Sequence, residues 1–232
     1  MKLRSILLAC TVLMGSACAY ANSVTLTFTG LQDGEAIDNY YNGGAGGFGS
    51  TGGTNYGIAF GSDSLAVISN QDGGSGNIDK IPLPGTTTAA FFLSGSGDVM
   101  NVAGGFTNGF AFYYAAPYYT GSVTVYSGLD GTGTLLATDN LSLTASNCDG
   151  SPDNYSCWVN SGVSFAGTAE SAIFSGTANY IAFADITIGA SAVPPPGVTP
   201  EPESLVLLGS GLAGLLAPAV RRRFTSGRSK AV

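Results

Sequence analysis

The sequence predicts an all-β protein, a single jelly-roll-like β-sandwich set between an N-terminal signal peptide and a C-terminal transmembrane helix. Three observations carry this. Short apolar runs alternate with period two and recur between turn residues across positions 24–188. No internal window of about a dozen residues offers a helical apolar face. The long uniform apolar runs lie at the two ends of the chain.

Residues 1–21 read as a secretory signal peptide. Lys2 and Arg4 precede an apolar run over 6–14, small residues follow, and Ala19-Tyr20-Ala21 supplies an A-x-A site with cleavage before Asn22. Ala17-Cys18-Ala19 is the competing site. Leu7-Leu8-Ala9-Cys10 looks like a lipobox but comes too early to leave a hydrophobic region ahead of it. The partners implied are an export translocase and a signal peptidase. Cys10 and Cys18 belong to the signal segment, which leaves Cys148 and Cys157 as the pair of the exported chain. In an oxidising compartment these two are expected to close a loop as a disulfide, contributing about 2–3 kcal/mol by loop entropy.

The central domain, residues 22–192, is expected to hold strands at 24–28, 57–60, 65–69, 89–94, 109–114, 122–126, 135–138, 141–144, 163–166, 170–175 and 180–188. Asp130-Gly131, between two apolar runs, is the strongest hairpin signal. Asp33-Gly34, Asp72-Gly73 and Asp149-Gly150 mark further turns. The stretch 43–53, almost pure Gly, Ser and Thr around Phe48, has no apolar face to bury and is expected to be a mobile excursion. An outer-membrane barrel needs strands of about nine to eleven residues, longer than these.

Between Asn22 and Pro200 thirteen acidic residues face a single basic one, Lys80. Such a surface repels phosphate backbones and argues against nucleic-acid partners. There is no histidine in the chain, which removes Ser-His-Asp and Cys-His catalysis and the usual zinc and copper sites. Carboxylate-only chemistry survives this filter. Glu35 and Glu170 are the only glutamates of the domain and most aspartates sit beside turn residues, so no catalytic, cofactor-binding or metal-binding residue is assigned. Tyr113-Tyr114 and Tyr118-Tyr119 flank Ala115-Ala116-Pro117, and Tyr114 and Tyr119 are the candidate carbohydrate contacts, since an exposed ring offers apolar area with a polar rim. Against that, adjacent strand residues point to opposite faces, so one tyrosine of each pair is expected to pack in the sandwich. The same holds for Tyr40-Tyr41, and Trp158 is expected to pack beside Cys157. Asp149, Asp153 and Asn154 lack the regular spacing of a calcium loop and read as an Asx-turn. Thr86-Thr87-Thr88 has no repeat period of the kind an ice-binding face needs.

Residues 193–199, with Pro194-Pro195-Pro196, form a stiff spacer. After Pro200-Glu201-Pro202-Glu203 the run 204–220 carries no charge and as a helix spans roughly 25 Å, a little short of a hydrocarbon core of about 30 Å, so it is expected to cross with little tilt or with local thinning of the bilayer. Arg221-Arg222-Arg223 and the basic tail 224–232 hold its end in the cytoplasm and place the domain outside. Gly209-Ser210-Gly211-Leu212-Ala213-Gly214 matches G-x-G-x-x-G but lacks the strand, amphipathic helix and acid that dinucleotide binding requires. Residues 200–223 as a whole resemble the bacterial PEP-CTERM sorting signal: a Pro-Glu-Pro tripeptide, one transmembrane helix and an Arg-rich end. The resemblance implies an exosortase-type membrane protease that removes the tail and passes the protein from the inner membrane to the cell surface or extracellular matrix. The same tail is also known as the C-terminal segment of ice-binding proteins, a label that describes the tail alone. The strand at 179–188 is similar to the closing strand of secreted bacterial jelly rolls, in which Phe-Asp-Asn-Ile is common and the acid serves structural calcium or ties the termini. Here Phe183-Ala184-Asp185-Ile186 shifts the carboxylate by one position, hence to the opposite face, which speaks against calcium there. The expected function is a non-catalytic surface or matrix component, structural, adhesive or weakly polysaccharide-binding. The alternative is a secreted carbohydrate-active enzyme that works with carboxylates alone.

Overall fold

A computed structural model describes residues 23–145 and 154–189. The signal segment, Cys148, Asp149, Asp153 and everything from Ala190 onward, including the Pro-Glu-Pro run and the expected membrane helix, lie outside the described residues. Among the described residues no helix is long and apolar enough to cross a membrane.

The described residues form two antiparallel sheets. The first sheet has the order β3 (Leu65–Ile68), β4 (Thr88–Phe91), β11 (Ala182–Ile188), β6 (Phe110–Ala115), β9 (Val159–Val163), with β1 (Val24–Leu26) paired to the far end of β11. The second has the order β2 (Ile58–Phe60), β5 (Gly97–Phe106), β10 (Ala169–Ser175), β7 (Gly121–Tyr126), β8 (Leu135–Leu141). The architecture is a β-sandwich. Alternation makes it so: Phe110, Phe112 and Tyr114 of β6, Val123 and Val125 of β7, and Ala172 and Phe174 of β10 point inward and are buried. Phe174 of the second sheet wedges among Phe110, Phe112 and Phe183 of the first, with centroid separations of 5.8, 5.7 and 5.0 Å. These spacings suit tilted and edge-to-face rings, which add to the area each ring buries.

Four expectations are corrected. The longest strand, β5, was not expected at all, because Gly97, Asp98, Asn101, Gly104 and Gly105 give its ten residues a loop-like composition. Its inward positions nonetheless alternate as Asp98, Met100 and Val102. Residues 141–144 are not a separate strand: β8 runs through to Leu141, and Thr144 then tethers the chain by exchanging hydrogen bonds with Ala116. The strand expected at 163–166 is β9, which ends where that prediction begins. The stretch 43–53 is no free excursion but folds over Glu35, whose carboxylate accepts from Phe48 N (2.8 Å), Ser50 N (3.0 Å), Gln32 N (2.7 Å) and Ser50 Oγ. A Cβ at Gly46 would stand 2.6 Å from Glu35 Oε1, so the loop needs glycine there to close on the acid.

The Asp130-Gly131 signal does join β7 to β8, and the tip folds back on its own sheet. Asp130 and Asn101 exchange two hydrogen bonds (2.6 and 2.8 Å), while Ser171 Oγ accepts from Gly131 N (3.0 Å) and donates to Gly128 O. Asp185 sits at a β-bulge, with φ 50° and the β11–β6 register broken between Ala184 and Thr187. The bulge absorbs the one-residue shift. Ala184 packs outward, Ile186 still enters the core, and Asp185 Oδ2 accepts from Leu83 N (3.0 Å) instead of facing the core.

Phe174→Ala is expected to cost about 3–5 kcal/mol in equilibrium denaturation, against about 0.5 kcal/mol or less for Leu135→Ala at a half-exposed position of β8. Equal losses at the two positions would contradict the assigned core.

Candidate functional site

The outer face of the first sheet carries a second, smaller apolar cluster. Val67, Ala89, Ala182 and Ala184 are covered by Ile78, Ile81 and Tyr155, with Phe91 and Trp158 packed alongside. Trp158 lies flanking this cover, its Nε1 donating to Asp79 O at 2.9 Å. Where the cover stops, a cleft of about 220 Å³ opens, lined by Ile78, Phe91, Leu93, Tyr155, Asn179 and Ile181 among others. Leu93 is 57% exposed, an apolar group held at the cleft lip.

Three tyrosines continue from this cleft. Tyr118 and Tyr119 come from the β6–β7 turn and Tyr180 from the β10–β11 turn; they are 49%, 50% and 39% exposed. Tyr119 and Tyr180 meet edge to face at 4.9 Å, and Tyr118 stands 6.2 Å from both Tyr180 and Tyr155. The turn bearing Tyr180 is pinned on both sides of Asn179, which takes φ 61°: its N–H donates to Phe92 O (2.8 Å) and its carbonyl accepts from Tyr155 Oη (3.1 Å). Burial first, then the neighbouring Tyr118, Tyr180 and Tyr119, push the Tyr155 phenol up to about 12, so it stays a hydrogen-bond donor at neutral pH. The result is a fixed, uncharged wall of ring faces and edges with hydroxyl rims. Such a wall can stack on a flat ligand that carries both apolar and hydroxyl surface.

Of the two tyrosines expected to touch carbohydrate, Tyr119 stands in this wall and Tyr114 does not. Tyr114 is buried in the sandwich with its hydroxyl donating to Ser142 O (3.2 Å), because β6 still alternates at that point. Tyr118 and Tyr119 escape alternation, since the strand has ended at Ala115 and the pair lies in a turn. Tyr40 and Tyr41 are both buried, Tyr41 Oη accepting from Phe28 N at 2.7 Å. Tyr180 and Tyr155 went unnoticed as site residues. The first reads as the opening residue of a strand, and the second lies beside the proline and aspartates of the expected disulfide loop.

Cys157 is fully buried and is not a free thiol; Cys148, the partner expected for it, lies outside the described residues. Among the described residues no three His, Cys, Asp or Glu side chains gather as metal ligands do. Glu35 has no exposed surface, although its cover is a single loop. Burial pushes its pKa up, and the donors from Gln32, Ser50 and Phe48 outweigh this and hold it below the usual carboxylate range. A carboxylate fixed ionised with both oxygens engaged has no proton to give and no lone pair directed at a substrate. Glu170, on β10, is half-buried.

No family model matches the chain, and no curated protein matches it. Among solved structures it is similar to a glycoside hydrolase family 43 arabinoxylan arabinofuranohydrolase from Bacillus subtilis in complex with cellotetraose, at 17% identity and TM-score 0.38, over 56% of this chain and 25% of that one. It is similar also to the carbohydrate-binding module CBM6cm-2 from Cellvibrio mixtus lichenase 5A in complex with cellotriose (16% identity, TM-score 0.34, 56% of this chain and 88% of that one). A third is the K3 adhesin domain of Lys-gingipain from Porphyromonas gingivalis (15%, TM-score 0.30, 56% and 93%). The chain thus matches a quarter of the length of the arabinofuranohydrolase. Likeness of this extent assigns no ligand to the present chain.

Glu35 gives a pH dependence of definite sign. Its folded-state pKa lies below the ordinary value of 4.5, so the stability it contributes is fully present above that pH and is lost as pH falls through the native value. Glu35→Gln is expected to lower stability at pH 7 by about 1–2 kcal/mol, and the gap to the unmodified chain should narrow below about pH 4.5. Urea denaturation of both at pH 7 and pH 3.5 measures this, and a gap that widened in acid would contradict it.

Proposed function

We propose that the protein is an exported, non-catalytic surface or matrix β-sandwich that binds carbohydrate through Tyr118, Tyr119 and Tyr180. The observation that carries this reading is the exposed, backbone-pinned tyrosine wall continuing from an apolar-lipped cleft. A sugar ring pairs an apolar face with a hydroxyl rim, which such a wall complements without charge. The strong acidity of the domain fits a role outside the cell, where it limits self-association and contact with other anionic polymers.

Delivery rests on the two ends of the sequence. On this reading residues 1–21 are removed before Asn22, the Cys148–Cys157 disulfide forms after export, and the helix 204–220 holds the protein briefly in the inner membrane with Arg221, Arg222 and Arg223 inside. An exosortase-type protease then acts near Pro200-Glu201-Pro202, and the domain, lifted by the spacer 193–199, passes to the surface or matrix.

Binding is tested with the mature chain on an array of bacterial and plant polysaccharides, with Tyr119→Ala and Tyr180→Ala beside it. Each substitution is expected to weaken capture about tenfold with an unchanged melting temperature. Capture unaffected by both would remove the wall as the site. Release of reducing sugar that Glu170→Gln abolishes would favour the enzyme reading instead. Delivery is tested by mass analysis of protein shed from the producing cells: the C-terminus is expected near Pro200, and an intact end at Val232 would replace processing with a permanent anchor.

A further inference from the structure

The tyrosine wall has a second side. Its ring contacts run in order from Tyr155 of the cleft to Tyr118 (6.2 Å), from Tyr118 to Tyr180 (6.2 Å) and from Tyr180 to Tyr119 (4.9 Å). Thr120, the next residue of the chain, lines a separate groove of about 390 Å³ at the end of the second sheet, together with Ser96, Ser122, Asn140 and Ser175. Ile181 ties the two places together. It lines the cleft, and a Cβ on Gly121 or Gly176, both in the groove, would stand only 2.6 or 2.8 Å from its side chain. One buried side chain thus supports cleft and groove alike.

Strand register makes the groove a row. Ser175 of β10 pairs directly with Ser122 of β7, and Ser122 with Asn140 of β8. Their chain neighbours Phe174, Val123 and Leu141 point into the core, so alternation turns all three outward. With about 4.8 Å between neighbouring strands, the row spans roughly 10 Å, more than one sugar ring covers. Among the described residues none of these three side chains makes a hydrogen bond, whereas Ser171 of the same β10 both accepts and donates one. Neither the cleft nor the groove is lined by a charged side chain. In a domain where thirteen acidic residues face one basic residue, nothing in either place can pair with a uronate or sulfate, and the surrounding field repels both.

We propose that cleft, wall and groove form one extended site that takes an internal stretch of a neutral polysaccharide chain, several sugars long. The inference rests on the reading that the wall binds carbohydrate, and adds the length and the charge class of the ligand. The rings and the apolar cleft lip take the apolar faces of the sugars. The serine hydroxyls and the Asn140 amide, which can donate and accept, take their hydroxyl rims. Because contacts lie on both sides of the wall, a chain that crosses it is read along its length and not by its end.

The test is affinity electrophoresis of the full chain through gels that hold a neutral polysaccharide (xylan, galactomannan or hydroxyethylcellulose) or a uronate polymer (alginate or polygalacturonate). Tyr180→Ala reports on the wall; Asn140→Ala and the double variant Ser122→Ala with Asn140→Ala report on the groove. The unmodified chain is expected to be retarded by at least one neutral polymer and by neither uronate polymer. Its affinity for the neutral polymer should fall about fivefold in Asn140→Ala and about tenfold or more in the double variant. The melting temperature should not change in Asn140→Ala, since the position is exposed. Short oligosaccharides cut from the retarding polymer should compete, and its free monosaccharides should not. Retardation that weakens in Tyr180→Ala but stays full in both groove variants overturns the extended site and leaves the wall standing. Retardation by no neutral polymer, or equal retardation of Tyr180→Ala and the unmodified chain, removes the wall and the extended site with it. Stronger retardation by a uronate polymer overturns the neutral class, and full competition by a monosaccharide overturns the length. If the double variant does not fold, Asn140→Ala decides alone.

Discussion

The sandwich depends on one contact between its sheets, Phe174 seated among Phe110, Phe112 and Phe183. These rings sit on β10, β6 and β11, which lie inside their sheets and not at the edges. Burying them fixes the phase of each strand, because a one-residue slip would turn every inward side chain to water. The tyrosine wall inherits this rigidity. Tyr118 and Tyr119 follow β6, and Tyr180 stands in the turn between β10 and β11, so its turns depart from the strands that the phenylalanines lock.

An acid-rich domain must still place some of its carboxylates inside, and this one treats three of them differently. Glu35 is wrapped by backbone N–H groups and a serine, which keeps it charged at modest cost. Asp185 is lifted from the core by a bulge and draws in the Leu83 backbone, with one oxygen unpartnered and its pKa raised, by burial above all. Asp98 has no bulge to lift it from the core: burial pushes its carboxyl well above the usual range, and the Ser64 hydroxyl beside it offsets part of that. The first two are structural devices that stitch the long connections to the sheets.

Much of this was legible in the sequence, and the misses have physical causes. Period-two alternation located most strands, since β6, β7 and β10 are apolar on one side and mixed on the other. Asp130-Gly131 marked the β7–β8 hairpin because few other residue pairs accept left-handed backbone so readily. β5 stayed hidden because one of its inward positions is Asp98 and its end is glycine-rich, so propensity and pattern disagreed with the packing that decided the matter. The loop 43–53 has no apolar face, yet its backbone N–H groups are what bind Glu35, and composition says nothing of where N–H groups will point. At the site, Tyr119 was found from its doublet. Tyr180 and Tyr155 were not, because they join it only through the pairing of β6 with β11 and with β9, contacts made at long sequence separation.

The wrapping of Glu35 reaches beyond its own loop. The connection it organises also supplies Asp38 and Tyr41 carbonyls to the outer edge of β2, and exchanges backbone bonds between Gly34, Glu35 and Ala66 along the outer edge of β3. One margin of both sheets is thereby closed to an incoming strand from another molecule. On the opposite margin β8 and β9 end their sheets, joined by the Ser161 hydroxyl to Asp139. Where copies of the domain crowd together, templated strand pairing is expected at that second margin before the one the loop covers.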